Sequence, residues 1–199
     1  MFDFDGVLVD TFEICLSGVR RLEPKLTAAE YRKRFEGNIN EVNRDLQTVS
    51  KPDATKDFFA YYTPRLMDQP FHPGIEEVIP DLALKYSLMI ISSTISSPIY
   101  EYLEAHGMAE YFDEILGNDV DESKMAKIQM ITTKYGVAPT DCIFITDTLG
   151  DLLEAADAEV DSLVVAWGFH DRATLAKGSP AGFIGTPEDI SESIDRYFE

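Results

Sequence analysis

The stretch MFDFDGVLVDT, residues 1–11, is the most informative segment for the fold, because it places three aspartates within an apolar run. Acidic residues are poor strand formers, and burying a carboxylate is costly unless it is paired or holds a metal. Asp3 and Asp5 lie two positions apart, so on an extended chain both side chains point the same way. Asp10 is better explained as a residue that caps the following helix or braces the loop. The stretch therefore predicts a core strand that ends in two functional carboxylates.

The composition indicates a globular protein with a strongly acidic surface. The chain has 199 residues, of which 45% are hydrophobic, and a formal net charge of -19. Such a surface repels nucleic acid and anionic membranes and attracts divalent cations. Cys15 and Cys142 are the only cysteines and match no zinc spacing, which favours a reducing compartment. We therefore predict a cytoplasmic protein, a monomer or homodimer, that binds neither nucleic acid nor membrane.

The order of sequence patterns predicts an α/β fold with an insertion. Residues 11–69 read as helical throughout, including a helix over 38–50 and a capping box formed by Thr27 and Glu30. After residue 70, apolar runs alternate with amphipathic helices, which is the pattern of a parallel sheet covered on both faces. The predicted strands are SLMIIS, FDEILG, DCIFIT, SLVVAW and AGFIG, joined by the N-terminal stretch. We predict a Rossmann-like core from residues 1–10 and 70–199, and a helical insertion over 11–69.

Polar side chains recur at the carboxyl ends of the predicted strands, where parallel sheets bind ligands. Those expected at this edge, together with a lysine at the start of the helix before DCIFIT, are Asp3, Asp5, Ser92, Ser93, Lys124, Asp147 and Asp151. Four carboxylates would repel one another unless a cation lay among them, and oxygen-only ligation suits Mg²⁺. A lysine and two hydroxyls beside that cation suit a phosphate group.

These segments resemble the four signature motifs of the haloacid dehalogenase (HAD) superfamily, in the family's order. The motifs are DFDGVLVDT, IISS, Lys124 and ITDTLGD. The resemblance covers nearly the whole chain, since FHPGIEEVIPDL and AWGFHDRATLAKG resemble members with a helical (C1-type) cap. The second of these segments is similar to phosphoglycolate-phosphatase-like proteins. It implies a HAD core, a cap formed by the insertion, and Mg²⁺-dependent hydrolysis of a small phosphomonoester through an aspartyl-phosphate.

The resemblance also implies a role for each matching residue. Asp3 corresponds to the nucleophile and a metal ligand, and Asp5 to the general acid and base, whose backbone carbonyl also binds the metal. Gly6 is expected to turn the chain and bring backbone amides toward the phosphate. Ser92 corresponds to the phosphate-binding hydroxyl, with the Ser93 amide as a second donor.

The other motifs supply the lysine and the remaining metal ligands. Lys124 would neutralise charge between Asp3 and the phosphate, and Lys127 is its rival; the helix start favours Lys124. Asp147 is expected to bind Mg²⁺ directly, and Asp151 directly or through a water. The remaining aromatic and histidine candidates are interpreted as packing or surface residues, and they are Tyr61, Tyr62, His72, His106, Trp167 and His170.

Several reactions remain open within the family. Asp5 favours phosphate-ester hydrolysis over dehalogenation, because a phosphatase must protonate its leaving oxygen. A related phosphomutase carries a histidine where Cys15 lies here, and a phosphonate-cleaving relative needs a cap lysine, for which the candidates are Lys25, Lys33, Lys51 and Lys56. A catalytically silent binding or regulatory protein is the alternative from another class.

The substrate is not fixed by the sequence. Phosphoglycolate, a sugar phosphate and a nucleotide all remain possible, and the cap offers Arg20, Arg21, Arg32, Arg34, Arg44 and Arg65 to select among them. Relatives usually have several apolar residues before the nucleophile, whereas two precede Asp3 here. The sequence leaves open a short strand or a gene that begins further upstream.

Overall fold

Four helices follow the N-terminal stretch in the part of the chain described by the computed structural model, which covers residues 1–45 and 54–199. Their bounds are α1 (Phe12–Arg20), α2 (Ala28–Lys33), α3 (Ile39–Asp45) and α4 (Ala54–Leu66), with a 3-10 turn at Arg34–Glu36. The capping box at the start of α2 is present, because Glu30 donates its amide to the Thr27 hydroxyl and accepts the Thr27 amide. The end of the helix predicted over 38–50 lies outside the described residues.

Helices and strands alternate after these four helices, as the sequence predicts. In chain order they are α5 (Ile75–Ala83), β1 (Met89–Ile91), α6 (Ser96–Ala105), β2 (Glu114–Leu116), α7 (Lys124–Tyr135), β3 (Ile143–Thr146), α8 (Leu149–Asp157), β4 (Asp161–Val165), α9 (Arg172–Leu175), β5 (Gly182–Ile184) and α10 (Ile190–Phe198). The strands pair in parallel, β1 with β2, β3 with β4, and β4 with β5. The predicted α/β fold class is confirmed.

The N-terminal stretch lies between β1 and β3 and joins the two groups of strands. Phe2 forms parallel bridges with both Ile90 and Ile145. The Phe2 amide donates to the Met89 carbonyl at 2.8 Å, and the Asp3 amide donates to the Ile145 carbonyl at 2.9 Å. The stretch therefore occupies a central position in the sheet, although bridging at Phe2 replaces the predicted core strand.

Alternate residues of the central sheet pack on its opposite faces. Phe2, Ile90 and Ile145 belong to one buried apolar cluster, whereas Met89 and Phe144 belong to another. This alternation is the two-residue period of a strand, and apolar side chains on both faces require a helical layer on each. No helix among the described residues has the length and apolar character needed to cross a bilayer.

Candidate active site

The N-terminal stretch turns back on itself directly after Asp5. Gly6 has a φ of 78°, and its amide donates to the Val9 carbonyl at 2.8 Å. The sharp turn expected at Gly6 is present. The Gly6 amide closes this turn through its hydrogen bond with the Val9 carbonyl, so in this arrangement it is not directed toward a phosphate. The exposed Asp10 accepts the amide of Phe12, the first residue of α1, at 3.4 Å. The turn leaves Asp3 buried at the sheet edge, where its Oδ1 accepts the Phe4 amide at 2.7 Å.

Lys124 is the lysine that contacts Asp3. It opens α7, after Ser123 caps the helix, and its buried Nζ lies 2.7 Å from Asp3 Oδ2 and 2.6 Å from Asp151 Oδ2. Lys127 is also buried, but its Nζ donates to the backbone carbonyl of Ser92 at 2.7 Å. The geometry therefore separates the two candidates, because Lys124 links two carboxylates while Lys127 braces the end of β1.

Asp147 and Asp151 reach the same place from the end of β3 and the first turn of α8. The Thr148 side chain caps α8 by accepting the Asp151 amide, and Asp151 Oδ2 accepts the Thr146 hydroxyl at 2.9 Å. Asp147 Oδ2 accepts the Phe169 amide at 2.7 Å. Asp147 Oδ1 is buried and has no hydrogen-bond partner within the described ranges. A buried carboxylate oxygen left in this way calls for a cation or an ordered water.

The three aspartates form an arrangement that fits Mg²⁺. Asp3, Asp147 and Asp151 each offer a carboxylate oxygen, and these three oxygens lie within 4.8 Å of one another. All the ligand atoms on offer are hard oxygen atoms, which suit Mg²⁺. Asp147 Oδ1, which has no hydrogen-bond partner among the described residues, is available to bind the ion. The Asp5 side chain is not part of this group, so Asp5 could contribute through its backbone carbonyl, as the family motif implies.

Burial controls the charge state of these carboxylates. Burial raises the pKa of Asp3 well above its usual range, partly opposed by the Lys124 charge. Burial also raises the pKa of Asp147 to about 7, although the Phe169 amide favours its charged form. Burial has the same tendency at Asp151, but Lys124 and several hydrogen bonds outweigh it and leave the pKa of Asp151 lowered. A divalent cation would favour ionised Asp3 and Asp147.

Asp5 is held by hydroxyl groups from three different parts of the chain. Its Oδ1 accepts the Thr11 hydroxyl at 2.7 Å and the Tyr62 hydroxyl at 2.6 Å. Its Oδ2 accepts the Thr94 hydroxyl at 2.8 Å, and the Ser92 hydroxyl lies at the limit of 3.5 Å. These contacts fix the orientation of the Asp5 carboxylate next to Asp3.

Tyr62 and Thr94 are site residues that the sequence interpretation did not assign. Tyr62 is fully buried on α4, as a packing residue would be, and its ring stacks on Phe58. Its hydroxyl nevertheless extends from the helical insertion to Asp5. The hydroxyl run Ser92, Ser93, Thr94 contained a signal for Thr94, whereas nothing local distinguished Tyr62 from the adjacent Tyr61.

We expect Tyr62→Phe to lower kcat several-fold and to leave KM nearly unchanged, because Asp5 loses one of the hydroxyl donors that orient it. Asp5 is partly buried and keeps the Thr11 and Thr94 donors, so the loss of one hydrogen bond is expected to cost about 0.5–1.5 kcal/mol of stability. Steady-state kinetics on an aryl phosphate and chemical denaturation measure the two effects. Tyr61→Phe is the matched control, since the Tyr61 ring contacts Arg21 and Arg65 through its face. Equal kinetics for the two variants would contradict an orienting role for the Tyr62 hydroxyl.

A cavity of about 410 Å³ lies above these residues. Asp3, Asp5, Lys124 and Asp151 line one side, beside Ser93 and Thr94. The helical insertion lines the other side, chiefly with apolar and aromatic side chains. The side chain of Ser92 is fully buried beneath this surface and accepts the Thr94 amide at 3.0 Å. Five of the predicted site residues thus line the cavity, namely Asp3, Asp5, Ser93, Lys124 and Asp151, whereas Gly6, Ser92 and Asp147 do not.

Arg34 is the one described arginine of the insertion that lines this cavity. The other described arginines of the insertion do not line it. Arg20 donates to the Leu26 carbonyl and Arg32 to the Phe169 carbonyl. Arg21 and Arg65 lie over the Tyr61 ring, and the side chain of Arg44 lies outside the described residues. The candidate lysines for phosphonate cleavage that the structure describes do not line the cavity. They are Lys25, Lys33 and Lys56. Lys51 lies outside the described residues.

The sequence matches a known protein family over most of its length. A model described as haloacid dehalogenase-like hydrolase matches residues 1–165. The chain belongs to this family. The HAD-like resemblance inferred from the motifs is thus confirmed, and the match includes all the strand-end motifs described above.

Curated relatives of this HAD-like chain are named as phosphatases at low identity. The phosphoglycolate phosphatase of Synechococcus elongatus is 24% identical over 123 residues, which are 61% of this chain and 58% of the relative. The chain spans between half and three fifths of the length of the first curated relatives it matches. The pyrophosphatase PpaX of Oceanobacillus iheyensis is 26% identical over 208 residues, 98% of this chain and 94% of that protein.

Solved structures of HAD-like proteins share the fold. A haloacid dehalogenase-like hydrolase from Streptococcus pneumoniae superposes with a TM-score of 0.81 at 22% identity, over 97% of this chain and 96% of that structure. A predicted phosphatase from Clostridium acetobutylicum gives a TM-score of 0.83 at 20% identity, over 98% and 96%. Both comparisons cover the helical insertion as well as the sheet, and they establish the architecture.

Proposed function

We propose that the protein is a Mg²⁺-dependent phosphatase that hydrolyses a small phosphomonoester through an aspartyl-phosphate. The observation that carries this proposal is the placement of Asp3 at the cavity wall, 2.7 Å from the Lys124 ammonium and beside a fixed Asp5. Phosphoryl transfer through a covalent intermediate requires a nucleophile, a cation and an acid or base next to one another. Asp3, Lys124 and Asp5 supply these groups on one side of the cavity.

In the first step, a carboxylate oxygen of Asp3 attacks phosphorus. The bond between Asp3 and phosphorus forms while the ester P–O bond breaks, and Asp5 gives its proton to the departing oxygen. Lys124 balances the negative charge shared by Asp3 and the phosphoryl oxygens. The hydroxyl and amide of Ser93, which lines the cavity, would bind those oxygens.

In the second step, water replaces the alcohol. Asp5, now ionised, accepts a proton from a water molecule whose oxygen attacks phosphorus. The bond between phosphorus and Asp3 breaks, which restores the Asp3 carboxylate and releases inorganic phosphate. Asp5 thus serves as acid and then as base, and the hydroxyls of Thr11, Tyr62 and Thr94 keep it in position for both steps.

Asp3, Asp147 and Asp151, with the backbone carbonyl of Asp5, would hold Mg²⁺. The ion would neutralise phosphate charge and keep the buried carboxylates ionised. We assign residues 1–10 and 70–199 to the catalytic core and residues 11–69 to the cap. The cap surface over the cavity supports this assignment, because it would exclude water and contact the leaving group.

Hydrolysis of p-nitrophenyl phosphate tests the proposed activity. We expect turnover in Mg²⁺, loss of turnover in excess EDTA, and recovery when Mg²⁺ is restored. A panel of phosphorylated metabolites then ranks the small substrates under the same conditions. Absence of metal-dependent turnover across the panel would refute the phosphatase assignment and favour a catalytically silent HAD-fold protein.

Mg²⁺ should stabilise the fold by binding to the native aspartates. At a Mg²⁺ concentration a hundred times its Kd, the gain is about 2.7 kcal/mol, or roughly 5–10 °C in melting temperature for a chain of this size. Asp147→Asn should abolish this shift while leaving the metal-free melting temperature unchanged or higher, since burial disfavours the ionised Asp147. Differential scanning fluorimetry at pH 8 measures both effects.

Asp157→Asn provides the control for that titration. Asp157 is an exposed acid at the end of α8, so its removal changes the net charge equally without touching the three-aspartate group. We expect the Mg²⁺ shift of wild type to persist in this variant. A full shift in Asp147→Asn would show that the ion binds elsewhere.

A further inference from the structure

An ion pair lies in the cap wall of the cavity. The Arg34 guanidinium donates from Nη1 to Glu23 Oε1 at 3.0 Å and from Nη2 to Glu23 Oε2 at 2.5 Å. Both side chains line the volume that contains Asp3 and Lys124. The Arg34 side chain is 8% exposed and that of Glu23 is 20% exposed, so the pair is largely removed from solvent. Its parallel, two-point geometry makes it a strong and specific contact.

This pair leaves the cavity without an uncompensated cation for a second anionic group. Among the lining residues that the structure describes, the cations are Arg34 and Lys124, against five carboxylates. Lys124 is held between Asp3 and Asp151, and Glu23 neutralises Arg34. A carboxylate on the leaving group would therefore face a cap wall that offers it no net positive charge. Desolvating such a carboxylate without a partner is costly.

The same pair is well suited to hydroxyl groups. A guanidinium has five N–H donors, of which Glu23 uses two, and the Glu23 oxygens retain lone pairs. Donors and acceptors side by side match an alcohol, which both donates and accepts. The aromatic side chains of Phe35, Phe58 and Phe169 line the same cavity and offer apolar surface to the C–H face of a sugar ring.

We propose that the Glu23–Arg34 pair selects phosphomonoesters whose leaving group is a neutral polyol and rejects those whose leaving group carries a carboxylate. A sugar phosphate represents the first class and phosphoglycolate the second. This inference rests on the proposed phosphatase function and narrows its substrate class. If the inference is correct, this chain differs in substrate preference from the activity for which the curated relatives named phosphoglycolate phosphatase are named.

The test compares kcat/KM for ribose 5-phosphate, glucose 6-phosphate and phosphoglycolate, in Mg²⁺, with p-nitrophenyl phosphate as reference. We expect wild type to prefer at least one of the sugar phosphates over phosphoglycolate by about tenfold or more. The two sugars distinguish a pentose from a hexose. Phosphoglycolate as the best of the three substrates would overturn the inference.

Glu23→Gln supplies the sharper test, because it keeps the shape of the side chain and frees the Arg34 charge. The freed guanidinium can form a charge-assisted contact with the substrate carboxylate, so kcat/KM for phosphoglycolate should rise about tenfold or more relative to p-nitrophenyl phosphate. The value for the preferred sugar phosphate should fall. Arg34→Gln should lower the phosphoglycolate value further, since Glu23 then stands unneutralised.

Two controls keep the outcome unambiguous. Glu13→Gln removes an exposed carboxylate of α1, outside the cavity, and should leave all substrate ratios unchanged. Calorimetric titration of an Asp3→Asn variant with each compound measures the same preference as binding, without turnover. Turnover of p-nitrophenyl phosphate with unchanged ratios in Glu23→Gln would refute the inference alone, whereas absence of all turnover would refute the proposed function.

Discussion

Asp3→Asn should lower kcat for phosphomonoester hydrolysis by roughly 10⁴-fold or more, the scale expected when a covalent nucleophile is lost. The amide cannot form the bond to phosphorus, and it carries no charge to balance Lys124. Folding should persist, because Lys124 retains its 2.6 Å contact with Asp151 and the variant removes a carboxylate that burial disfavours. Initial rates on p-nitrophenyl phosphate in Mg²⁺, with circular dichroism and a thermal melt, separate lost chemistry from lost structure.

Asp10→Asn is the matched control, as it makes the same chemical change at an exposed acid of the same stretch. Its activity should remain within about twofold of wild type. Intact-mass spectrometry after rapid acid quenching adds a direct readout, with a phosphoryl adduct expected for wild type and none for Asp3→Asn. A residual rate above about one hundredth of wild type in Asp3→Asn would rule out Asp3 as the nucleophile.

Gly6→Ala should be among the most damaging single-methyl additions in the chain. Gly6 has a φ of 78°, where L side chains are strained, and a Cβ there would lie 2.1 Å from Asp147 Oδ2 and 2.8 Å from the Phe169 ring. Asp147 would have to leave the position in which it accepts the Phe169 amide. Strain and overpacking together predict a loss of about 3 kcal/mol or more, and the Mg²⁺-induced rise in melting temperature should disappear.

Gly107→Ala isolates the contribution of backbone strain. Gly107 has a similar φ of 68°, but a Cβ there meets nothing within 4 Å. We expect about 1 kcal/mol of destabilisation and an unchanged response to Mg²⁺. Urea denaturation with and without Mg²⁺ measures both variants. Equal losses for Gly6→Ala and Gly107→Ala would show that contact with Asp147 contributes nothing.

Local patterns were sufficient to predict the alternating elements and the strand-end motifs. Near-continuous apolar runs identified the parallel sheet, and a polar residue directly after such a run must lie at the sheet edge. The start of α7 likewise favoured Lys124, and its Nζ does contact Asp3. The roles given to these residues remain predictions, as do the cap boundaries at residues 11 and 69.

Contacts between distant segments were beyond the reach of the sequence patterns. Tyr62 and Tyr61 are neighbours on one helix, and only the packing of α4 against the turn brings the Tyr62 hydroxyl to Asp5. Glu23 follows α1 and Arg34 begins a 3-10 turn, so no helical period connects them. The central position of Phe2 likewise depends on partners in two other strands, which no local propensity encodes.

The bridging position of the N-terminal stretch has a consequence for how the protein folds. Phe2 pairs with Ile90 on one side and Ile145 on the other, so its contacts have a large separation along the chain. Contacts of this kind require closure of long loops and form slowly. The two groups of strands become one sheet only when this stretch inserts between them, and the same insertion fixes Asp3. Completion of the sheet and placement of the nucleophile are therefore a single kinetic event, and the refolding rate should set the rate at which activity returns.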